Sequence, residues 1–360
     1  MAQSYRCALI GVGKAESMGN VKGGGHQIAY THSNALLADD RMELCAGADI
    51  NPENLAAWRT RFDVAAGYAD YHEMLRVEKP DIVSICTYVG LHRVMIEDCA
   101  RAGVKGVFCE KPFLASPADV RAVREVAAKT RVKITAAHVR RYSVVFELAR
   151  QWIAQGEIGE PLLISAGLPG WDLSEWGSHW LDMFCFLNGD VAAEWVFGQA
   201  RVRDFRGYGH AMEEHGVAYV GFKNGCRGVL DGGQALGQPY TMLVTGTEGE
   251  IRFCNGENGP YFIHTSRSGW EEVAPPAPQP LWVQNFQKSF NALADWIEGG
   301  SEPTIGLSTA LATSELNLGA YLSALRGDRV DLPLTDFTVN EWPLEALARK
   351  AKTAGGVTKT

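Results

Sequence analysis

The first third of the chain alternates short apolar segments with helical ones, and this alternation restricts the folds open to it. Residues 82–86 and 106–109 are continuous apolar runs, which is typical of parallel strands buried on both faces. Helices are expected after Asn51-Pro52 and after Ser116, because asparagine and serine cap helices and proline suits the first helical turn. Repeated strand–helix units predict a parallel, doubly wound sheet of the α/β class.

The pattern changes after about residue 142. Short alternating segments, separated by turn residues such as Asn224-Gly225, predict a mostly antiparallel sheet. Later helices are expected at residues 285–298, 308–325 and 343–350.

The length of 360 residues is too great for one ordinary core, so two domains are expected. We predict a doubly wound domain at 1–137, an α+β domain at 138–335, and a C-terminal segment at 336–360 that is helical and then loose.

Charge and cysteine usage narrow the class of protein. The chain has 34 Lys and Arg against 42 Asp and Glu, a formal net charge of −8, which argues against nucleic acid or an anionic membrane as a partner. No apolar run approaches the ~20 residues that span a bilayer, and the N-terminus has no basic-then-apolar signal. The 8 cysteines include no Cys-x-x-Cys pair, so we expect core residues in a reducing, cytoplasmic compartment, and no metal site.

A glycine-rich turn follows the first predicted strand. Gly11 and Gly13 allow a tight turn that a pyrophosphate can approach, and Ala29 best fills the third small-residue position. Residues 14–25 are therefore an insertion, expected to form a flap near the phosphates. Asp49 ends the second strand, where a carboxylate can accept hydrogen bonds from the adenosine ribose, or can simply cap the next turn. The order favours a dinucleotide site, and because a carboxylate repels a 2′-phosphate and no arginine follows directly, it favours NAD over NADP.

Two further segments carry groups that can stabilise charge and move protons. Lys111 follows a strand and precedes a proline, and its ammonium can stabilise a developing alkoxide. His179 can accept a proton near neutral pH, since an unperturbed imidazole titrates near ~6.5. Glu175 lies four residues earlier, so on a helix it would share a face with His179 and support the charged ring.

Aromatic residues surround His179 in the sequence. Trp171, Trp176 and Trp180 offer flat faces that suit the C–H surfaces of a sugar ring, and Asp172 offers an acceptor for a hydroxyl. The alternative is that the tryptophans pack a core.

Taken in order, these segments resemble the Gfo/Idh/MocA oxidoreductases, the superfamily of glucose-fructose oxidoreductase and inositol dehydrogenase. The resemblance covers essentially the whole chain and rests on the Gly11-Val12-Gly13 turn, Asp49, residues 87–92, Glu110-Lys111-Pro112, Arg140-Arg141-Tyr142, Gly177-x-His179-x-x-Asp182 and residues 326–334. It implies an N-terminal Rossmann domain and a C-terminal α+β domain with a large open sheet. It also implies a homodimer or homotetramer formed through the outer face of that sheet, Lys111 at the nicotinamide, and His179 as the catalytic histidine.

Three features depart from the usual form of that family. The glycine loop is longer, Tyr88 stands where a proline is usual, and Glu175 stands where aspartate is commoner. The third departure leaves open which group finally accepts the proton.

The resemblance and the local patterns together assign candidate residues to roles. Catalytic roles are expected for Lys111, His179 and Glu175. Cofactor contacts are expected from Gly11, Gly13, Ala29, Asp49, Asn51, Thr87, His92, Glu110 and Lys111. Substrate contacts are expected from Arg140, Trp171, Asp172, Trp176 and Asp182, although Asp182 could instead hold its helix. One of Arg140 and Arg141 is expected to reach the site, and the other to pair with an acid.

The leading hypothesis is an NAD-dependent enzyme that transfers a hydride between a secondary alcohol of a sugar, glycoside or cyclitol and the nicotinamide. One alternative is an enzyme that retains NAD and uses transient oxidation for elimination, epimerisation or glycoside cleavage. Another is a non-catalytic dinucleotide-binding sensor, against which the presence of both Lys111 and His179 argues.

Overall fold

A computed structural model describes residues 4–13, 26–170, 172–207, 210–233, 241–255, 259–274 and 282–355. The chain divides into two compact units. Among the described residues, no helix is both long enough and apolar enough to cross a membrane.

The first unit is built on six parallel strands in the order β3-β2-β1-β4-β5-β6. The strands are β1 (Tyr5–Ile10), β2 (Met42–Ala48), β3 (Ala66–Tyr68), β4 (Ile82–Ile85), β5 (Gly106–Cys109) and β6 (Lys133–Ala136). The helices are α1 (Ala29–Leu37), α2 (Pro52–Phe62), α3 (Tyr71–Glu78), α4 (Val89–Arg101) and α5 (Pro117–Thr130). The strand order reverses between β1 and β4, which is where such sheets bind ligands.

The predicted helix starts in this unit are confirmed by their capping bonds. The side chain of Asn51 accepts from the backbone N–H groups of Glu53 and Asn54, and that of Ser116 accepts from Asp119. These bonds satisfy N–H groups that have no partner within the helix. The sequence analysis missed β3, a strand of only 3 residues, together with α3.

Helix α8 (Trp282–Ile297) belongs to the first unit, although the linear domain boundary placed it in the second. It packs against α1, β5 and β6. Phe286 and Phe290 are buried beside Phe108, and Leu293 lies so close to Gly106 that a larger residue there would crowd it. Sequence distance hid this placement, because an amphipathic helix does not reveal which sheet it covers.

The second unit contains a nine-stranded sheet in the order β14-β13-β12-β11-β7-β10-β9-β8-β15. Its strands are β7 (Pro161–Pro169), β8 (Ala193–Gly207), β9 (His210–Phe222), β10 (Arg227–Gly233), β11 (Met242–Gly246), β12 (Gly249–Phe253), β13 (Tyr261–Thr265), β14 (Ser268–Val273) and β15 (Val330–Asp331). Among the described pairings, β7 and β10 are parallel and the others are antiparallel. The predicted fold class, a parallel sheet plus a mostly antiparallel one, is confirmed.

One face of this sheet is covered by helices. The unit contains a short 3₁₀ helix (Val139–Tyr142), which starts at the boundary, and helices α6 (Val144–Ala154), α7 (Gly177–Leu187), α9 (Leu307–Arg326) and α10 (Pro343–Gly355), of which α9 begins in the first unit. Phe184 of α7 packs closely over Gly228 of β10, and the hydroxyl oxygen of Ser323 on α9 accepts a hydrogen bond from the Gly198 N–H of β8 at 2.9 Å. Helix α7 is therefore held against the middle of the sheet, and it carries the predicted catalytic histidine.

Candidate active site

The predicted dinucleotide turn lies at the end of β1 in the first unit. Gly11 and Gly13 have φ values of +82° and +60°, which side chains other than glycine rarely adopt. A Cβ atom on Gly13 would also overlap the backbone of His26. Gly13 is therefore required by the shape of the turn itself.

Asp49 ties this turn to the end of β2. One carboxylate oxygen accepts from the Gly13 N–H at 3.0 Å, and the other accepts from the Asn51 N–H at 2.8 Å. The side chain of Asn51, a predicted cofactor contact, caps α2 through its oxygen. Ala29 begins α1 and is fully buried, which allows the helix to approach the strands closely.

A pocket in the first unit brings together several of the predicted cofactor residues. It is lined by Ile10, Gly11, Ala48, Asp49, Ile50, Ala69, Tyr71, Thr87, Leu91 and Met95. A mostly apolar lining that includes the Asp49 carboxylate could hold an adenosine group, with Asp49 as the predicted acceptor for its ribose hydroxyls. The sequence analysis missed Tyr71, Leu91 and Met95, because their contribution depends on where α3 and α4 begin.

His92 is a buried link between two loops. Its Nδ1 lies 3.1 Å from the carbonyl oxygen of Phe113, and its Nε2 lies 2.9 Å from that of Thr87. The ring joins the loop after β4 to the loop that follows Lys111. His92 thereby positions Thr87, which lines the pocket, and its own contact with the cofactor stays a prediction.

Glu110 and His32 form a buried pair beside Lys111 that the sequence analysis did not identify. Nε2 of His32 lies 2.8 Å from one oxygen of Glu110, whose other oxygen accepts from the Lys111 N–H at 3.1 Å. Burial favours a neutral ring, but the Cys86 sulfur and the Glu110 carboxylate favour the charged one, and the balance raises the pKa of His32 to about 9. Glu110 thus holds the backbone of Lys111 and is itself held by His32.

The catalytic histidine predicted for the second unit, His179, lies at the start of α7. His179 is in the first turn of the helix and is 6% exposed, with the Trp176 ring 6.1 Å away. The Arg140 guanidinium lies over the rings of Trp176 and Trp180, at 5.8 Å and 5.4 Å. The second unit therefore does group Arg140 and Trp176 with the histidine, whereas Trp171 lies outside the described residues.

Glu175 precedes α7, so the helical spacing proposed between Glu175 and His179 does not apply. Its backbone N–H donates to Asp172, and its carboxylate lies 2.9 Å from Nε2 of His210, on β9. Asp172 also accepts from the Trp176 N–H, at 3.3 Å, so this side chain organises the turn that leads into the helix. Burial, with the charges of Glu213 and Glu175, raises the pKa of Asp172 to about 8.

Asp182 has a structural role in place of the predicted contact with substrate. It is 1% exposed, and its carboxylate accepts from Arg141 at 2.8–3.0 Å and from the Thr313 hydroxyl at 3.0 Å. Arg141 also pairs with Asp190 at 2.8 Å. Arg141 is thus the member of the arginine pair that binds acids, because its surroundings hold two carboxylates.

The insertion at 14–25 lies outside the described residues. Within the described ranges, no group of three or more His, Cys, Asp and Glu side chains is arranged to hold a metal ion.

Comparisons with known proteins define the class. Residues 5–138 match the model for the oxidoreductase family with an NAD-binding Rossmann fold, and residues 146–252 match the model for the GFO/IDH/MocA C-terminal domain. The chain belongs to the Gfo/Idh/MocA family, an oxidoreductase family that binds NAD, so the predicted family and cofactor are confirmed.

Individual relatives resemble the chain over most of its length. D-apiose dehydrogenase of Paraburkholderia graminis is 27% identical over 84% of this chain and 86% of its own. Myo-inositol 2-dehydrogenase of Thermotoga maritima is 27% identical over 62% of this chain and 72% of its own. Among solved structures, levoglucosan dehydrogenase in complex with NADH has a TM-score of 0.78 at 19% identity, covering 92% of this chain and 100% of that one, which shows a shared fold.

Proposed function

We propose that this protein oxidises a secondary alcohol of a sugar, glycoside or cyclitol with NAD. When bound, NAD would supply the acceptor for the hydride of the carbon that bears the hydroxyl group. The hydroxyl proton passes to His179, and the C–O single bond becomes a C=O double bond. Lys111 stabilises the oxygen as its negative charge develops.

The observation that carries the proposal is that Lys111 and His179 each lie beside side chains that are themselves held in place. Lys111 follows Glu110, which is fixed by His32, and His179 lies in the first turn of α7 beside Trp176 and Arg140. The names of D-apiose dehydrogenase and myo-inositol 2-dehydrogenase support this class of substrate, because apiose is a sugar and myo-inositol is a cyclitol. The aromatic face of Trp176 is suited to the C–H surface of such a molecule.

The test is a substrate screen with a pair of lysine variants. Formation of NADH is followed by absorbance across a panel of polyols, aldoses, glycosides and cyclitols. Lys111→Ala is expected to lower kcat/KM for any active substrate by about 100-fold or more, the usual effect of removing a group that stabilises developing charge. NAD binding, measured by calorimetry, should change little.

Lys129→Ala is the matched control, because Lys129 is on the surface of α5 in the same unit, near Glu125. It should behave like the unchanged protein. Full activity in Lys111→Ala would contradict the assigned role. Tightly retained NAD with no net NADH from any compound would instead favour transient oxidation as the function.

A further inference from the structure

The Glu175–His210 hydrogen bond fixes the position of one proton. Nδ1 of His210 lies 2.6 Å from the carbonyl oxygen of Ala211, which can only accept, so Nδ1 carries a hydrogen. Nε2 lies 2.9 Å from a carboxylate oxygen of Glu175. This second bond also needs a hydrogen, which belongs either to a charged imidazolium or to a neutral carboxylic acid.

The surroundings of the pair are acidic and almost closed to solvent. Asp172 lies in the same turn as Glu175, and Glu213 lies three residues after His210 on β9. Glu213 accepts from the Tyr321 hydroxyl of α9 at 3.0 Å, and Glu345 of α10 accepts from the Ala211 N–H at 2.8 Å. The Trp342 ring lies 4.3 Å from the ring of His210.

This environment favours the ion pair over the neutral pair. Burial alone would lower the pKa of His210, but the hydrogen bond and charge of Glu175 and the Ala211 carbonyl outweigh it and raise that pKa. The hydrogen therefore resides mainly on the imidazole, and Glu175 is ionised.

We propose, on the basis of the proposed function, that His210 is a positioning residue that keeps Glu175 ionised and leaves His179 as the final acceptor of the substrate's proton. Glutamate is one methylene longer than the aspartate that is commoner at position 175. Here its carboxylate is bonded to β9. A carboxylate that already accepts from an imidazolium is a weak base, so it supports a charged His179 electrostatically without taking its proton.

The proton arrangement can be tested without any substrate. Nitrogen NMR of the ring of His210, assigned by the loss of its signals in His210→Phe, should show a hydrogen on both nitrogens at pH 7. In Glu175→Gln the ring loses its charged partner and should lose one of those hydrogens at pH 7. A neutral His210 ring at pH 7 in the unchanged protein would overturn the proposal.

The catalytic consequence appears in the pH profile of kcat/KM for oxidation. His210→Phe removes the donor, so the buried Glu175 takes up a proton and no longer supports a charged His179. The plateau should fall about tenfold, an effect typical of losing a residue that orients a catalytic group. The acidic limb should move to lower pH, since Glu175, four residues before His179 in the chain, loses its negative charge, and this outweighs the loss of the positive charge of His210 on another element.

Four further variants make the result specific. His210→Gln retains an N–H donor and should keep the limb near its original position. Glu175→Gln should move the limb in the same direction as His210→Phe, and the double variant should add no further shift. His215→Phe changes another histidine of β9, one whose half-exposed side chain pairs with Asp231 at 3.1 Å, and should leave the profile unchanged.

The outcomes separate this proposal from the proposed function. Oxidation with an unmoved limb in His210→Phe would overturn the role of His210 and leave the dehydrogenase function standing. If no polyol is oxidised, the proposed function fails, and the NMR measurement still decides whether His210 keeps Glu175 ionised.

Discussion

At the scale of single residues, local patterns in the sequence identify candidate groups, but not the distant residues that pair with them. Lys111 and Asp49 could be singled out because each lies just after the end of a strand, and a strand end is visible in the sequence. The partner of Glu110 could not be predicted, since His32 is 78 residues away and lies in the middle of α1. Only the fold brings α1, β4 and β5 together, with Ser84 on the other side of the His32 ring at 2.6 Å.

The His32–Glu110 pair should make stability depend on pH in one direction. The pKa of His32 is raised to about 9, so the stabilisation is complete below the ordinary value of ~6.5 and is lost as pH rises through about 9. His32→Gln removes this contribution. The free energy of unfolding lost in the variant should therefore be larger at pH 6 than at pH 10, by about 2–3 kcal/mol.

Denaturant unfolding followed by tryptophan fluorescence, at pH 6 and pH 10, measures this difference. His215→Gln reports the effect of removing a half-exposed imidazole under the same conditions. A loss in His32→Gln that is equal at both pH values would show that the His32 ring is not charged in the folded protein.

At the scale of elements, the reliability of prediction followed the locality of the signal. The caps of α2 and α5 depend on residues within the next turn, and both were predicted correctly. The β13–β14 hairpin was missed because β14, Ser268–Val273, is largely polar and exposed on an edge of the sheet. The spacing of Glu175 and His179 would suit one face of a helix, but Glu175 lies in the turn before α7, whose form is set by hydrogen bonds to Asp172 that spacing does not reveal.

Asp172 should make this turn less stable as pH rises. The folded protein holds its proton up to a pKa of about 8, whereas the unfolded chain releases it near ~4, so folding becomes less favourable between these values. Asp172→Asn keeps an acceptor oxygen and cannot ionise. The free energy of unfolding of this variant, relative to the unchanged protein, should rise between pH 5 and pH 8.5 by roughly 1–4 kcal/mol.

The informative quantity is the slope with pH, since a buried amide adds a cost that does not vary with pH. Asp63→Asn is the control, because Asp63 is an exposed residue at the C-terminal end of α2 in the left-handed conformation, which asparagine tolerates. A relative stability of Asp172→Asn that is flat with pH would refute the buried, protonated state of Asp172.

At the scale of the whole molecule, the outer face of the nine-stranded sheet carries apolar residues. Tyr219 and Phe197 are 39% and 37% exposed, and Trp195 packs against Tyr219 with ring centres 5.4 Å apart. The cross-strand register continues this face through Val229, which is paired with Tyr219. Apolar surface of this kind favours association, and a second copy of the chain is the partner that the family resemblance implies.

The expected state in solution is therefore a homodimer or homotetramer formed through this face. Phe197→Glu with Tyr219→Glu places two charges in the interface and should shift the molar mass, measured by light scattering after gel filtration, towards that of one chain of 39.3 kDa. Val77→Glu introduces a charge at an exposed position of α3 and should leave the mass unchanged. An unchanged oligomer in the double variant would place the interface elsewhere.

The chain returns to the first unit through α8, and this limits which segments of the protein can be exchanged with those of a relative. Helix α8 supplies Phe286 and Phe290, which enclose the His32 ring at 4.7 Å and 5.8 Å, yet it is encoded more than a hundred residues after Met1–Val139, the main segment of that unit. A chimera that exchanges only the first 139 residues with a relative would pair one protein's α1 and β5 with another's α8. Inheritance of an intact cofactor half thus requires two separated segments to be transferred together.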